Sequence, residues 1–272
     1  VEKAYDGTPN ATVTPTFNGL QGGDTLTAAD YSVKAAFDNA KVGYKKLVTG
    51  KVTLNQTDTA KNYLLKNDGT FSTNEGTIKK AAAPIVQPVE LTIYNGVQKD
   101  YFVDLPPLPE LGEGKSYGTV DYSNPHMINL PEGYKAQSTI GSKVGSQDTK
   151  LLVLHMTQTG SRTGEIGTVT IPVKTSNYQN ITLTVNVNAV NQITPVPDGT
   201  ITASEITYGD TLSKSTITGT MQDPNTRDAV NGTFTWLTPD EKLKAGSHNA
   251  KWIFTPDESN GGKYTTNTGT AT

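Results

Sequence analysis

The sequence contains no cysteine. That excludes a disulfide framework, cysteine-based zinc sites and thiol catalysis. Histidine is scarce: His126 reads as a loop residue beside Pro125, His155 and His248 as strand residues, no two have metal-ligand spacing, and none sits in an HExxH pattern. Charge of either sign is nearly balanced, with 23 basic against 26 acidic residues and a net charge of −3. There is thus no basic stripe for nucleic acid and no polybasic segment for anionic lipid. No apolar run approaches the ~20 residues of a membrane-spanning helix. No signal-peptide pattern opens the chain, and the abrupt ends at Val1-Glu2-Lys3 and Ala271-Thr272 read as cuts in a longer protein. Helical periodicity is missing as well. The stretch Lys79-Lys80-Ala81-Ala82-Ala83 meets Pro84 after one or two turns.

What is present favours strands. Threonine occurs 43 times, and its β-branch loses less in extended backbone than in a helix. Ile181-Thr182-Leu183-Thr184-Val185-Asn186-Val187-Asn188 alternates strictly. A period of two puts Ile181, Leu183, Val185 and Val187 on one buried face. Glycine- and asparagine-rich turns separate such runs at short spacing, as in sandwiches and barrels. Hydrophobic residues amount to only 34%, so each core is thin. This suits two-layer sheets with one wet face per strand.

Two proline-bearing stretches, Ala81 to Pro88 and Asn191 to Gly199, read as linkers. They divide the chain into three expected modules, 1–83, 84–191 and 192–272, each the size of one immunoglobulin-like sandwich. The modules share a signal. Each opens with a tyrosine turn: Tyr5-Asp6-Gly7, Tyr94-Asn95-Gly96 and Tyr208-Gly209-Asp210. A second tyrosine, Tyr63, Tyr178 or Tyr264, follows late in each. A tyrosine beside a turn can bury its ring and bond its hydroxyl to backbone, as a tyrosine corner does. Trp236 and Trp252 fall in the most apolar strands of the third module and read as core.

The first module, through Lys3-Ala4-Tyr5-Asp6-Gly7-Thr8, Gly23-Asp24, Ala36-Phe37, Val42-Gly43, Val48-Thr49-Gly50 and Asn62-Tyr63-Leu64-Leu65, resembles the YDG repeat of bacterial surface proteins. The third is similar to the related glycine-rich, mostly-β (MBG-like) immunoglobulin-like repeats, through Ile206-Thr207-Tyr208-Gly209-Asp210, Val230 to Trp236 and Trp252-Ile253-Phe254-Thr255-Pro256. The resemblance implies an all-β array in a secreted or wall-attached protein of a Gram-positive bacterium, serving as stalk or adhesive array. It brings no catalytic residues with it.

Candidate chemistry is sparse. No GxSxG elbow, P-loop or GxGxxG follows a strand, and Gly160-Ser161-Arg162-Thr163-Gly164 reads as a hairpin turn. Glu110 and Glu113 lie in a proline-rich loop with no facing carboxylate evident. Asp6-Gly7 and Asn67-Asp68-Gly69 offer oxygens to calcium but fit turn chemistry better. The residue types for a lysine–asparagine isopeptide bond are present without a spacing that singles out a trio. The stretch Leu105 to Gly145 is long for a small sandwich and makes Tyr117, Tyr122 and Tyr134 the candidate ligand-binding residues, against the plainer reading that they plug a sandwich end or lie in extra strands.

The expected protein is three tandem immunoglobulin-like β-sandwiches on an extracellular bacterial surface. It is expected to be non-catalytic and cofactor-free, acting as a stalk whose partners are neighbouring modules. The alternatives are an adhesin binding host glycan or extracellular protein through the middle module, and an accessory module of a secreted glycan-degrading enzyme.

Overall fold

The computed structural model describes residues 1–143 and 146–272, with side chains described outside 143–148. Val144 and Gly145, the end of the expected loop, lie outside the described residues. The fold is all-β. Among the described residues the only helical elements are four short 3-10 turns, and no helix is long and apolar enough to cross a membrane.

Residues 2–79 form one four-stranded sheet of β1 (Glu2–Ala4), β2 (Tyr31–Phe37), β3 (Gly43–Leu54) and β4 (Thr70–Lys79), in the order β1-β4-β3-β2. First and last strand pair in parallel. A second sheet is absent from this stretch of the described residues. Its remaining chain is rich in glycines with positive φ, including Gly19, Gly22 and Gly23, and adds one bridge, Asn10 to Ala36.

Residues 89–190 form a two-sheet sandwich. One sheet has the order β6-β10-β9, from Asp100–Asp104, Ser146–Gln158 and Lys135–Lys143. The other has the order β5-β12-β11-β7, from Val89–Tyr94, Ile181–Val190, Gly164–Thr175 and Val120–Tyr122, with β8 (His126–Ile128) also on β11. Again first and last strand pair in parallel. The alternation in β12 buries Ile181, Leu183, Val185 and Val187, as expected, against Leu152, Leu154 and Met156 of β10. Pro172 accounts for the split edge. It has no N–H to offer, and it falls between the β11 residues paired to β8 (168–170) and those paired to β7 (173–175).

Three expectations are corrected here. The long loop Leu105 to Gly145 contains β7, β8 and all of β9, leaving 105–119 as its longest irregular stretch. His126 therefore opens a strand. The segment 160–164 is a crossover between the two sheets and not a hairpin, because among the described residues β10 pairs with β6 and β9 while β11 pairs with β12, β7 and β8.

Residues 196–271 form three small sheets: β13-β16-β17, β14-β15 and β18-β19-β20. The strands are β13 (Val196–Pro197), β14 (Thr202–Ala203), β15 (Ile217–Thr218), β16 (Met221–Gln222), β17 (Ala229–Val230), β18 (Gly232–Trp236), β19 (Ala250–Pro256) and β20 (Asn267–Ala271). The second expected linker thus already carries a strand, with Pro197 at a sheet edge, where a missing donor costs least. His248 lies before β19 and not within it. Trp236 and Trp252 are buried, the former donating its indole N–H to Ser215 O at 2.8 Å. Most of the described buried hydrophobic residues fall into three clusters.

Candidate functional site

Hydrogen bonds and side-chain contacts link consecutive sheet systems where they meet, and both meetings use one backbone device. At the first, Ala81 N–H donates to Asn177 O at 2.9 Å, and Gln179 N–H donates to Ala81 O at 2.8 Å, a parallel bridge around Tyr178. At the second, Ile193 N–H donates to Lys263 O and Thr265 N–H donates to Ile193 O, both at 2.9 Å, a parallel bridge around Tyr264. In each case a linker residue past a last strand clasps the tyrosine that precedes the next last strand. The linkers are hydrogen-bonded connections, not free chain.

The first joint is aromatic. Tyr178 is buried, with the Tyr5 ring edge-on at 5.8 Å and Tyr117 tilted at 5.2 Å. Such pairs add ~0.5–1.5 kcal/mol each beyond their area. The Tyr5 hydroxyl accepts Ser116 N–H at 3.1 Å, and Lys80 Nζ donates to Thr175 O at 2.6 Å. The tyrosine turn comes so close that a Cβ on Gly7, whose φ is +85°, would sit 2.5 Å from Gly114 O. Only glycine meets both demands. Asp6 Oδ1 completes the turn by accepting Thr8 N–H at 2.9 Å and Lys3 Nζ at 2.7 Å. This is turn chemistry, as expected.

The second joint is polar. Gln192 Nε2 donates to Gly262 O at 2.9 Å, Lys99 Nζ donates to Gly261 O, and Asn267 Nδ2 donates to Pro195 O at 2.7 Å. Beneath it lies Asp223, whose side chain is 0% exposed. One carboxylate oxygen receives Lys263 Nζ at 2.9 Å and the Tyr264 hydroxyl at 3.0 Å. The other accepts Asn225 N–H at 2.8 Å. The lysine bond first, then the backbone N–H, hold this carboxyl well below the usual carboxylate range. Bonds to Tyr264 and Asp223 push the Lys263 ammonium up in turn.

The three candidate tyrosines do not converge. Tyr134 is buried at 6% exposure, and its ring fills the space where Gly160 would carry a Cβ. Its hydroxyl lies 2.9 Å from both Asn95 Oδ1 and Arg162 O. It is a plug at the tyrosine turn of the sandwich and offers no free stacking face. Tyr117 is half-buried in the first joint, its hydroxyl donating to Pro109 O at 2.7 Å. Tyr122 is half-buried and lines an open groove of about 770 Å³ between β7 and β9, with Asp121, Asn124, Ser138 and Lys150 around it. Burial pushes the Tyr117, Tyr122 and Tyr178 phenols above their ordinary range.

Tyr134→Phe will test the plug. Removing the hydroxyl leaves the buried Asn95 oxygen without that donor, which costs about 1–3 kcal/mol. A urea titration checks this as a lowered midpoint at unchanged slope.

Glu110 and Glu113 are exposed, and His155 pairs with Asp100 across strands at 2.5 Å. Lys46 Nζ lies 2.8 Å from Asn39 Oδ1 and 2.9 Å from Asp38 Oδ1, a hydrogen-bonded ion pair on a turn. Asn67 and Asp68 adopt left-handed backbone before Gly69, the turn role expected of them. Among the described residues there is no group of three or more His, Cys, Asp or Glu placed to hold a metal ion. The joints were missed in the sequence reading. Their one visible signal was the recurring tyrosine before each last strand, read there as a corner within a module.

The family model of the YDG domain matches residues 1–71. No curated protein matches the chain. Among solved structures it is similar to protocadherin gamma B7 extracellular cadherin domains 1–4, at 11% identity and a TM-score of 0.31, covering 89% of this chain and 65% of that one. Mouse clustered PcdhgC3 EC1-3 is similar at 10% identity and a TM-score of 0.29, over 85% of this chain and 76% of that one. Sidekick-1 immunoglobulin domains 1–4 is similar at 11% identity and a TM-score of 0.22, over 89% and 65%. The chain thus spans just under two-thirds of the first of these.

Proposed function

We propose that this chain is a non-catalytic spacer in which three β modules, 1–83, 84–191 and 192–272, are held in series by locked joints, in a secreted or wall-attached bacterial surface protein. The observation that carries the reading is the repeated parallel bridge, Ala81 to Tyr178 and Ile193 to Tyr264. A freely jointed array needs no backbone pairing across its linkers. A spacer that must hold a distal part at a fixed distance does, because each bridged linker residue loses its independent torsional freedom. The YDG match over residues 1–71 supports the same reading.

Small-angle scattering on the full chain tests it. The expected profile is that of an elongated, stiff particle, with no rise at high angle of the kind a flexible chain produces. A compact particle, or a broad ensemble of sizes, would overturn the proposal.

The groove at Tyr122 supports a second reading, adhesion through the middle module to a host glycan. A ring edged by Asp121, Asn124 and Lys150 combines a stacking surface with hydrogen-bonding groups. Binding on a glycan array that disappears in Tyr122→Ala supports this reading. Silence of the unaltered chain across the array ends it.

A further inference from the structure

The two joints define polarity. First and last strands run parallel in the first two sheet systems. Both strands therefore point to one end, the downstream end, which also carries the tyrosine turn. The segment before the last strand lies at the opposite, upstream end. Both joints seat an upstream tyrosine, Tyr178 or Tyr264, against the downstream end before it.

The same two halves recur without a mate. At the upstream end of the YDG domain is Asn62-Tyr63-Leu64, which precedes β4 across a short 3-10 turn (Lys66–Gly69), where Tyr178 and Tyr264 directly precede β12 and β20. The Tyr63 hydroxyl donates to Asp24 Oδ2 at 2.8 Å, as Tyr264 does to Asp223 at 3.0 Å. Yet Leu64 is 99% exposed. No described protein group pairs with Asn62 O or Leu64 N–H, the atoms equivalent to those the joints use. At the other extreme, Tyr208 is 79% exposed although Tyr5 in the equivalent turn is buried. Beside it opens a cavity of about 570 Å³, lined by Tyr208, Leu243, Trp236 and Ala271 among others.

We infer that Asn62–Leu64 is the seat for the downstream end of a second copy of this chain, joined head to tail, with backbone pairing around Tyr63 and the Tyr208 end facing it. The inference rests on the reading of the chain as modules in series and names the surface by which that series extends. The occupant is argued from the two joints already formed. Their partner is extended backbone leaving a last strand, and a second copy presents it beside an uncovered tyrosine turn.

The test is hydrogen exchange by mass spectrometry on the single chain and on a concatemer. The concatemer joins two full chains through a copy of residues 81–88, which places that alanine two residues past β20, as Ala81 is past β4. In the single chain the Gln179 and Thr265 amides are expected to be slow and the Leu64 amide fast. In the concatemer the peptide carrying Leu64 is expected to split into two equal populations, one fast and one slowed at least about tenfold. Leu64→Asp in the second copy, at a site exposed in the single chain, is expected to abolish the slow population. Fast exchange at Gln179 and Thr265 would overturn the joints themselves. Slow exchange there with a single fast Leu64 population, or a slow population that survives the aspartate, would overturn this inference alone.

Discussion

Tyr178→Ala will lower stability by about 3–5 kcal/mol, the range for removing a buried aromatic side chain, and will free the YDG domain to pivot. The loss is large because Tyr178 belongs to two structures at once. Its ring is the centre of the Tyr5–Tyr178–Tyr117 stack. Its backbone is anchored by Thr175, whose hydroxyl accepts Tyr178 N–H at 3.0 Å and donates to Tyr178 O at 2.9 Å. Alanine keeps the anchor and removes the stack, so the bridge to Ala81 loses its apolar cover and opens to water. Limited proteolysis should then cut within 81–88, and scattering should show a broader distribution of sizes. Tyr178→Phe keeps the rings in contact and should stay within about 1 kcal/mol of the unaltered chain, since a single hydroxyl contributes on that order. An alanine variant whose linker resisted protease as before would mean that the stack does not hold the joint.

How far the sequence discloses this arrangement depends on the range of the interaction. Strand β12 was legible because its signal is local: alternation from Ile181 to Asn188 selects its own buried face. The tyrosine turns were legible for the same reason, since the Asp6 carboxylate bonds within a few residues, at Thr8 N–H and Lys3. Strands β7 and β8 were not. Each has three residues, too few for a period of two to declare itself, and each exists because β11 offers an edge on either side of Pro172. The partners of Tyr134 were not legible, because its ring site is made by Gly160 and its hydroxyl site by Asn95 and Arg162, distant in sequence on both sides. Tyr208 shows the converse. The local signal matches Tyr5, whose ring is buried against Tyr178, yet Tyr208 is 79% exposed, so the turn motif does not by itself bury its ring. The recurring tyrosines were therefore visible as a pattern, while their purpose, clasping a linker, is a tertiary fact.

The polar joint yields the second large effect, one that depends on pH. Asp223→Asn will destabilise residues 192–272 strongly at neutral pH, because Lys263 loses the carboxylate that neutralises it, and an unpaired charge near a protein interior is costly. The unfolded chain titrates an aspartate at about 3.9 and a lysine at about 10.4. In the folded chain the Asp223 carboxyl is depressed, so its contribution is fully present above about pH 4 and is lost as pH falls towards the folded value. The Lys263 ammonium is raised, so its contribution is fully present below about pH 10 and is lost as pH rises through the folded value. Both shifts describe one pair. The stability gap between the unaltered chain and Asp223→Asn should thus be widest between roughly pH 4 and pH 10 and should narrow on either side. Urea midpoints measured across that range check it. The double variant Asp223→Asn, Lys263→Met removes both charges and should be less destabilised than the sum of the two single changes, as coupled neighbours are. A gap that stayed constant from pH 2.5 to pH 7, or single effects that simply added, would show that the buried carboxylate holds the joint by its shape alone.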